Sequence, residues 1–409
     1  MNLSGNQLRK DMLKLNYNAK IFLLINGLFT VANGLSGTFV NIYLWKSKND
    51  LGNIGLFNFF NYLFIPIAFM VGGWLTKRKS ATFSLRVGIL FHGFFYFLIL
   101  ATGHNSANYV IQLGCVLGIA AGFYWVAFHT LSFDLTSRYN RDTFNSYNGM
   151  AGSISGMIAP IIAGYTITSL QNTSGYRIIF GLSTAVYVVI MFISLMFKTK
   201  KEENVFSLLD VYKKSTEPWK YIMLAQLLFG IRQGVLAFLI NLVVFITTKK
   251  EISIGKLALL GSFIAIPTFI VLEKVLKPRY RMCFFTGGAL MMFLSIIVLA
   301  LKTNIQTLTI YTVLNTIALP LFTVPLNSAA FNVIEKNQHN TYRVEYIILQ
   351  EIGLNAGRLL GTLIFIMLAD MLEKPKITLA FLLFIGSVQL WTLLFRKKID
   401  FDEKVMDEA

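Results

Sequence analysis

Short basic loops cut this chain into twelve apolar runs, each long enough to cross a bilayer. A crossing helix needs about 20 apolar residues at 1.5 Å rise each. Inside hydrocarbon every backbone N–H and C=O must be satisfied within the protein, so runs of this length predict helices. They are expected at 21–45, 53–75, 81–101, 107–134, 143–169 and 177–197, then at 220–246, 254–272, 282–301, 306–333, 344–370 and 377–395. The expected organisation is a cytosolic N-terminal segment (1–20), a six-helix bundle (21–197), a charged cytosolic linker (198–219), a second bundle (220–395) and a cytosolic tail (396–409). Only 14% of the residues are charged, against about 25% in soluble domains. The chain reads as an all-α polytopic membrane protein.

The basic residues orient it. With the N-terminus inside, 26 of the 37 Lys and Arg fall in inner segments and nine in outer ones. The remaining two, Arg232 and Arg358, lie inside spans. That excess puts both termini in the cytosol of a cell-membrane protein. A net charge of +17 would also suit a nucleic-acid partner. The charges are spread over short loops, however, and orientation accounts for them, so no nucleic acid is expected. Met1 to Lys20 is polar and the first apolar run is a full span, so no cleaved leader is expected. Cys115 and Cys283 both fall in apolar runs and read as core thiols.

Six spans, a basic linker and six more suggest a duplicated half. Span two ends in a basic loop, Gly72-Gly73-Trp74-Leu75-Thr76-Lys77-Arg78-Lys79, and span eight ends in another at 273–281. On these features the chain resembles the major facilitator superfamily over nearly all its length. In that family the loop after the second span usually reads Gly-x-x-x-Asp-Arg-x-Gly-Arg-Arg. Here the glycine and the basic cluster are kept, and Thr76 stands in place of the acid. The resemblance implies two pseudo-symmetric bundles around a central cavity, alternating access by rocking, and a cavity lined by helices one, four, seven and ten. The fifth span, Gly152-x-x-x-Gly156-x-x-x-Pro160-x-x-x-Gly164, is similar to a loose form of the family's antiporter helix. Close helix packing explains the same spacing, and both readings stand.

Polar residues inside the spans are the candidates for chemistry. Glu351, Asn355 and Arg358 fall at i, i+4 and i+7, on one helix face. An ionised group at mid-bilayer costs about 3 kcal/mol on insertion scales, so such groups face a cavity or neutralise one another. The first span carries Asn26, Asn33, Gly37 and Asn41 as a polar stripe; the fourth carries Tyr124, His129 and Asp134. The seventh carries Arg232, Gln233 and Asn241, and the tenth Asn315, Pro320, Pro325 and Asn327. Arg232 reaches nearly the depth of Arg358. The two guanidiniums either clamp an anion bidentately, or Arg232 is latched to Glu351. The expected substrate set is therefore Arg232, Arg358, Asn33, Asn41, Tyr124, Gln233 and Asn355. Glu351 is the one acid well inside an expected span and is the candidate proton carrier. His129 is a second, unless it is only a hydrogen-bonded core residue; His92 reads as structural. Gating candidates are Asp134, paired with Arg138 or Arg141 or else simply solvated, together with Lys77 and Arg78.

No phosphate-cradling loop, nucleophile–base arrangement or metal-ligand spacing is visible, so neither cofactor, metal nor enzymatic activity is expected. The sequence reads as a secondary active transporter, proton-coupled, moving a small organic solute of anionic or amphipathic character. A lipid or glycolipid flippase, a multidrug exporter and a sugar transporter share the expected fold, as would a membrane sensor or enzyme. The expected partners are the solute, protons and the bilayer, with the chain acting as a monomer.

Overall fold

The computed structural model describes residues 15–136, 140–170, 173–197, 199, 207–213, 215–336, 343–372, 374–399 and 401. Among them are twelve long helices and no strand. The first six are α1 (Tyr17–Lys48), α2 (Leu51–Arg78), α3 (Ala81–Thr102), α4 (Val110–Asp134), α5 (Arg141–Ser169) and α6 (Ser174–Ser194). The second six are α7 (Glu217–Thr248), α8 (Ile252–Val275), α9 (Arg281–Leu301), α10 (Ile305–Lys336), α11 (Arg343–Leu368) and α12 (Pro375–Ser387), the last running on as a 3-10 turn through Val388–Leu394. A short helix, Leu208–Lys213, lies in the linker.

By length and composition, 11 stretches can cross a membrane. One of them, Ala81–Asp134, has 54 residues, far too many for a single crossing. It holds two helices. Gly103 adopts a left-handed φ of 51° that ends α3, a 3-10 segment follows, and α4 returns antiparallel with Tyr124 against Gly88. The expected count of twelve therefore stands. The helices overrun their apolar runs because polar residues cap them. Asn16, Asp50 and Ser80 each accept the backbone N–H three residues on.

The two halves echo one another in detail. Both α1 and α7 have 32 residues, and each ends on a left-handed residue, Asn49 (φ 55°) or Lys249 (φ 54°), whose N–H reaches back 2.7 Å to a carbonyl four residues earlier. Both α2 and α8 carry an internal proline, Pro66 and Pro267, at the same distance from the helix start.

Twelve crossings leave residues 15 and 401 on one face, together with the linker. We call it the linker face and the opposite one the loop face. Glycines set the closest helix contacts. On α4, Gly114, Gly118 and Gly122 lie over the carbonyls of Phe57, Asn61 and Ile65 of α2. A Cβ at Gly357 of α11 would stand 1.9 Å from the Leu227 carbonyl oxygen of α7, and one at Gly230 of α7 would stand 2.1 Å from that of Leu354. The two pairs run parallel and pack backbone on backbone.

Contacts between the bundles differ on the two flanks. Helices α2 and α11 meet at both ends: Gly55 packs on Ile366 near the loop face, and Lys77 bonds Glu345 near the linker face. Helices α5 and α8 meet from the loop face to about the middle of α5. There a Cβ at Gly255 would come within 2.6 Å of the Pro160 carbonyl oxygen, and one at Gly164 within 3.0 Å of Glu251 backbone. At Gly156 the nearest atom is 3.9 Å away, and at Gly152 and Gly149 nothing lies within 4 Å. The loop face is also pinned by Glu251, whose Oε1 accepts from Lys46 Nζ at 2.5 Å and Tyr176 Oη at 2.9 Å.

The Lys77–Glu345 pair is 2.6 Å long and fully buried, and Glu345 also accepts the Ser207 N–H of the linker at 3.2 Å. Stripping one partner from a buried pair strands the other charge, at a cost of about 3–5 kcal/mol. Lys77→Met is therefore expected to lower the melting temperature of the purified protein by several degrees, far more than Lys79→Met at an exposed neighbour. Equal melting temperatures for the two variants would remove the pair as an inter-bundle contact.

Candidate functional site

Two chambers lie one above the other between the bundles. The larger, about 800 Å³, opens at the linker face. His129 of α4, Asn145 and Asn148 of α5, Gln226 of α7, Asn327 of α10 and Glu351 of α11 all line it. The smaller, about 480 Å³, lies toward the loop face, about one helical turn further along α4 and α5. Its wall includes Asn33 and Asn41 of α1, Asn61 and Tyr62 of α2, Trp125 of α4 and Asn241 of α7. A third space of about 290 Å³, lined by Tyr311 and Asn315, adjoins it across Ala237 and Asn241.

A hydrogen-bonded chain runs from the lower chamber toward the upper. Glu351 Oε2 accepts from Asn355 Nδ2 at 3.2 Å, and Asn355 Oδ1 accepts from Arg358 Nη1 at 3.0 Å. Arg358 also forks onto Gln233 Oε1 through Nε (2.9 Å) and Nη2 (2.7 Å). Its guanidinium lies 5.4 Å from the centroid of the Tyr62 ring, and Tyr62 is part of the upper chamber wall. The α7–α11 seam enforces this. Gly234 sits directly against the Arg358 backbone, 2.6 Å from its Cα to an ideal Cβ, which brings Gln233 within reach.

The arginines do not form the expected clamp, and Arg232 does not form the expected latch to Glu351. Arg232 is 3% exposed, and its Nη2 donates to Asn315 Oδ1 of α10 at 2.7 Å; its Nε has no acceptor. Arg232 and Gln233 are adjacent on α7 and so point about 100° apart. One serves α10, and the other holds Arg358. Neither guanidinium lines a chamber described above. The arginine tied to Glu351 is Arg358, through Asn355.

Other expected residues divide in the same way. Asn33 and Asn41 line the upper chamber, with Asn41 Oδ1 accepting from Asn58 at 2.8 Å. Tyr124 stands behind the wall: it is fully buried, stacked on Phe29, and donates to Asn26 Oδ1 at 2.6 Å. Asn26 in turn donates to Asn148, which lines the lower chamber. His129 lines that chamber beside Trp125 and Phe128. His92 is buried with Nδ1 on the Gly88 carbonyl and its ring on Tyr187, a structural role as read. Asp134 is exposed at the end of α4. Arg138 and the side chain of Arg141 lie outside the described residues. Arg78 is exposed and stacks on Trp74, so the inter-bundle contact of that loop belongs to Lys77. Cys115 and Cys283 are free thiols, half-buried and exposed respectively. Asn61 and Tyr62 of α2, Asn148 of α5 and Gln350 of α11 also line the chambers, and none of them is among the candidates read from the sequence. Each is a polar residue in an apolar run, and that signal was available.

Among the described residues no group of three or more His, Cys, Asp and Glu is placed to hold a metal ion. Two six-helix bundles enclosing amide-lined chambers, with apolar side chains such as Phe263, Phe269 and Val271 of α8 facing outward, define a multi-pass membrane protein. The sequence model of the Major Facilitator Superfamily matches residues 22–361, and the chain belongs to that superfamily. It is 34% identical over 388 residues to the uncharacterized protein YqgE of Bacillus subtilis (strain 168), covering 94% of this chain and 90% of that one. Its fold is similar to that of the nucleoside transporter NupG (TM-score 0.70, 11% identity, 94% of this chain and 99% of that one). A POT family transporter in complex with 5-aminolevulinic acid is comparably similar (TM-score 0.70, 12% identity, 93% and 96%).

Proposed function

We propose that the protein is a proton-coupled secondary transporter that moves a small polar organic solute by alternating access, acting as a monomer in the cell membrane. The observation that carries this reading is the chain Glu351–Asn355–Arg358–Gln233, which starts on the lower chamber and ends beside Tyr62 of the upper one. A carboxylate in this position gains or loses a proton according to whether water reaches it. Its charge is felt by Arg358 through one shared amide, and Arg358 is held against the seam that fixes α11 on α7. Proton binding is thereby linked to the geometry of the solute chamber. An anion gripped by Arg232 and Arg358 together has less support, because each guanidinium already bonds a neutral amide.

Two experiments test this. Purified protein in liposomes should acidify or alkalinise the lumen when solute is added against an imposed pH difference; solute flux without proton flux removes the coupling. For orientation, the excess of Lys and Arg in the inner segments of the sequence, 26 against nine, supports a cytosolic linker face. A reporter fused after Ala409 should be active only when cytosolic enzymes can reach it. Activity of a periplasmic or extracellular reporter at that site would reverse the orientation.

A further inference from the structure

We propose that the upper chamber is a binding site for an uncharged ring solute bearing several hydroxyl groups: a sugar, either free or as the ribose of a nucleoside. The inference rests on the reading of the protein as a solute transporter, but not on proton coupling.

Three amides around this chamber lack partners. Asn33 of α1, Asn61 of α2 and Asn241 of α7 all line it, and among the described residues none of the three side chains makes a hydrogen bond. The Asn61 Oδ1 is shut off from water as well and has no donor. Asn33 is exposed and Asn61 and Asn241 are half-buried, so three amides offer donors and acceptors to whatever fills this one small space, and a ligand that bonds them there displaces water. The contrast with neighbouring amides is sharp. Asn58 donates to Asn41 and to the Ile54 carbonyl, and Asn26 is bonded to Tyr124 and Asn148.

The chemistry of the wall narrows the ligand. No Asp, Glu, Lys, Arg or His is among the described residues that line the chamber. Arg358 lies against Tyr62 and is turned to Gln233 and Asn355, and Arg232 is turned to Asn315. A charged solute would be stripped of water there without a counter-charge. A side-chain amide both donates and accepts, and so does a hydroxyl. The remaining surface is largely aromatic: Phe29, Tyr62, Tyr96 and Trp125 line it, and Trp125 is the exposed one, which suits the apolar side of a ring. A space of about 480 Å³ is of small-molecule size. Asn33 and Asn61 belong to the first bundle and Asn241 to the second, so a solute that engages all three bridges the two.

The test pairs uncharged solutes with charged ones of like size: glucose with gluconate, and uridine with uridine monophosphate. Binding to the purified full chain is followed by thermal shift and by tryptophan fluorescence, with Trp125→Phe as control. Glucose, uridine or both should bind, and which of them does separates the free sugar from the nucleoside. Asn33→Ala and Asn241→Ala should each weaken binding about three- to ten-fold, the factor that one hydrogen bond supplies. Where an alanine variant does not fold, Asn33→Ser and Asn241→Ser, which keep a small polar group, replace it with the same direction expected. If binding survives but transport ignores the pH gradient, the coupling fails and this inference stands. Binding of gluconate or uridine monophosphate as tightly as the uncharged partner would overturn it, as would no binding of any uncharged member, or unchanged affinity in both asparagine variants.

Discussion

Glu351→Gln should abolish solute accumulation driven by a pH gradient while leaving solute exchange at equal pH intact. Glutamine keeps the shape of the side chain, and its carbonyl can still accept from Asn355 Nδ2, which now reaches Glu351 at 3.2 Å. What it cannot do is carry a charge in one state and a proton in the other. A pH difference of one unit is worth about 1.4 kcal/mol per proton, or a tenfold solute ratio at one proton per solute. The native chain should approach that ratio and the variant should stay near one. Uptake into liposomes under an imposed gradient, beside counterflow at equal pH, reads both quantities with whichever solute the binding assay yields. Gradient-driven accumulation that persists in the variant would take the proton away from Glu351. Loss of exchange as well would mean that the carboxylate is needed for the solute itself.

The second large effect is expected at the α7–α11 seam. Gly357→Ala adds a carbon 1.9 Å from the Leu227 carbonyl oxygen and 2.8 Å from its carbonyl carbon. Both obstacles are backbone, so no side chain can turn aside and the helices must part. Overpacking usually costs about 1–3 kcal/mol and more where the neighbours cannot yield. Parting the helices also draws Arg358 off Gln233, since Gly234 lies against the Arg358 backbone. The variant should lose monodispersity in detergent and melt many degrees lower. Gly287→Ala in α9 is the matched control. Nothing lies within 4 Å of its new carbon, and replacing glycine in a helix is worth roughly 0.5–1 kcal/mol in alanine's favour. If the two variants melt alike, the seam does not hold the second bundle together.

The spans were legible because apolar length is a property of the sequence itself. The reversal at Gly103 was legible from the same pattern, since 54 residues cannot make one crossing. The ends were not, because caps such as Asn16 and Asp50 carry helices past the apolar runs. Nor was the 3-10 finish of α12 over Val388–Leu394. Within the site, Glu351, Asn355 and Arg358 could be placed on one face by spacing alone, and the structure joins them through Asn355. The clamp failed for a different reason. Depth along a helix follows from counting, whereas direction around it depends on which neighbour packs where. Arg232 and Gln233 differ by one position, and the glycine seam decides which of them meets Arg358. Tyr124 was misplaced in the same way, at the right depth but turned toward Asn26.

The unequal flanks of the bundle interface have one further consequence. Along α2 and α11 the halves are joined near both faces, while α5 and α8 touch at Gly164 and Gly255 and have separated by Gly152. The gap is thus a wedge with its apex near the loop face and its spine along α2 and α11, like a book held at the binding. It widens toward a single side. On that side the apolar residues Tyr147 and Met150 of α5 and Phe269 and Val271 of α8 are exposed. The cleft is therefore asymmetric, and the surrounding lipid meets apolar side chains on the side where it widens.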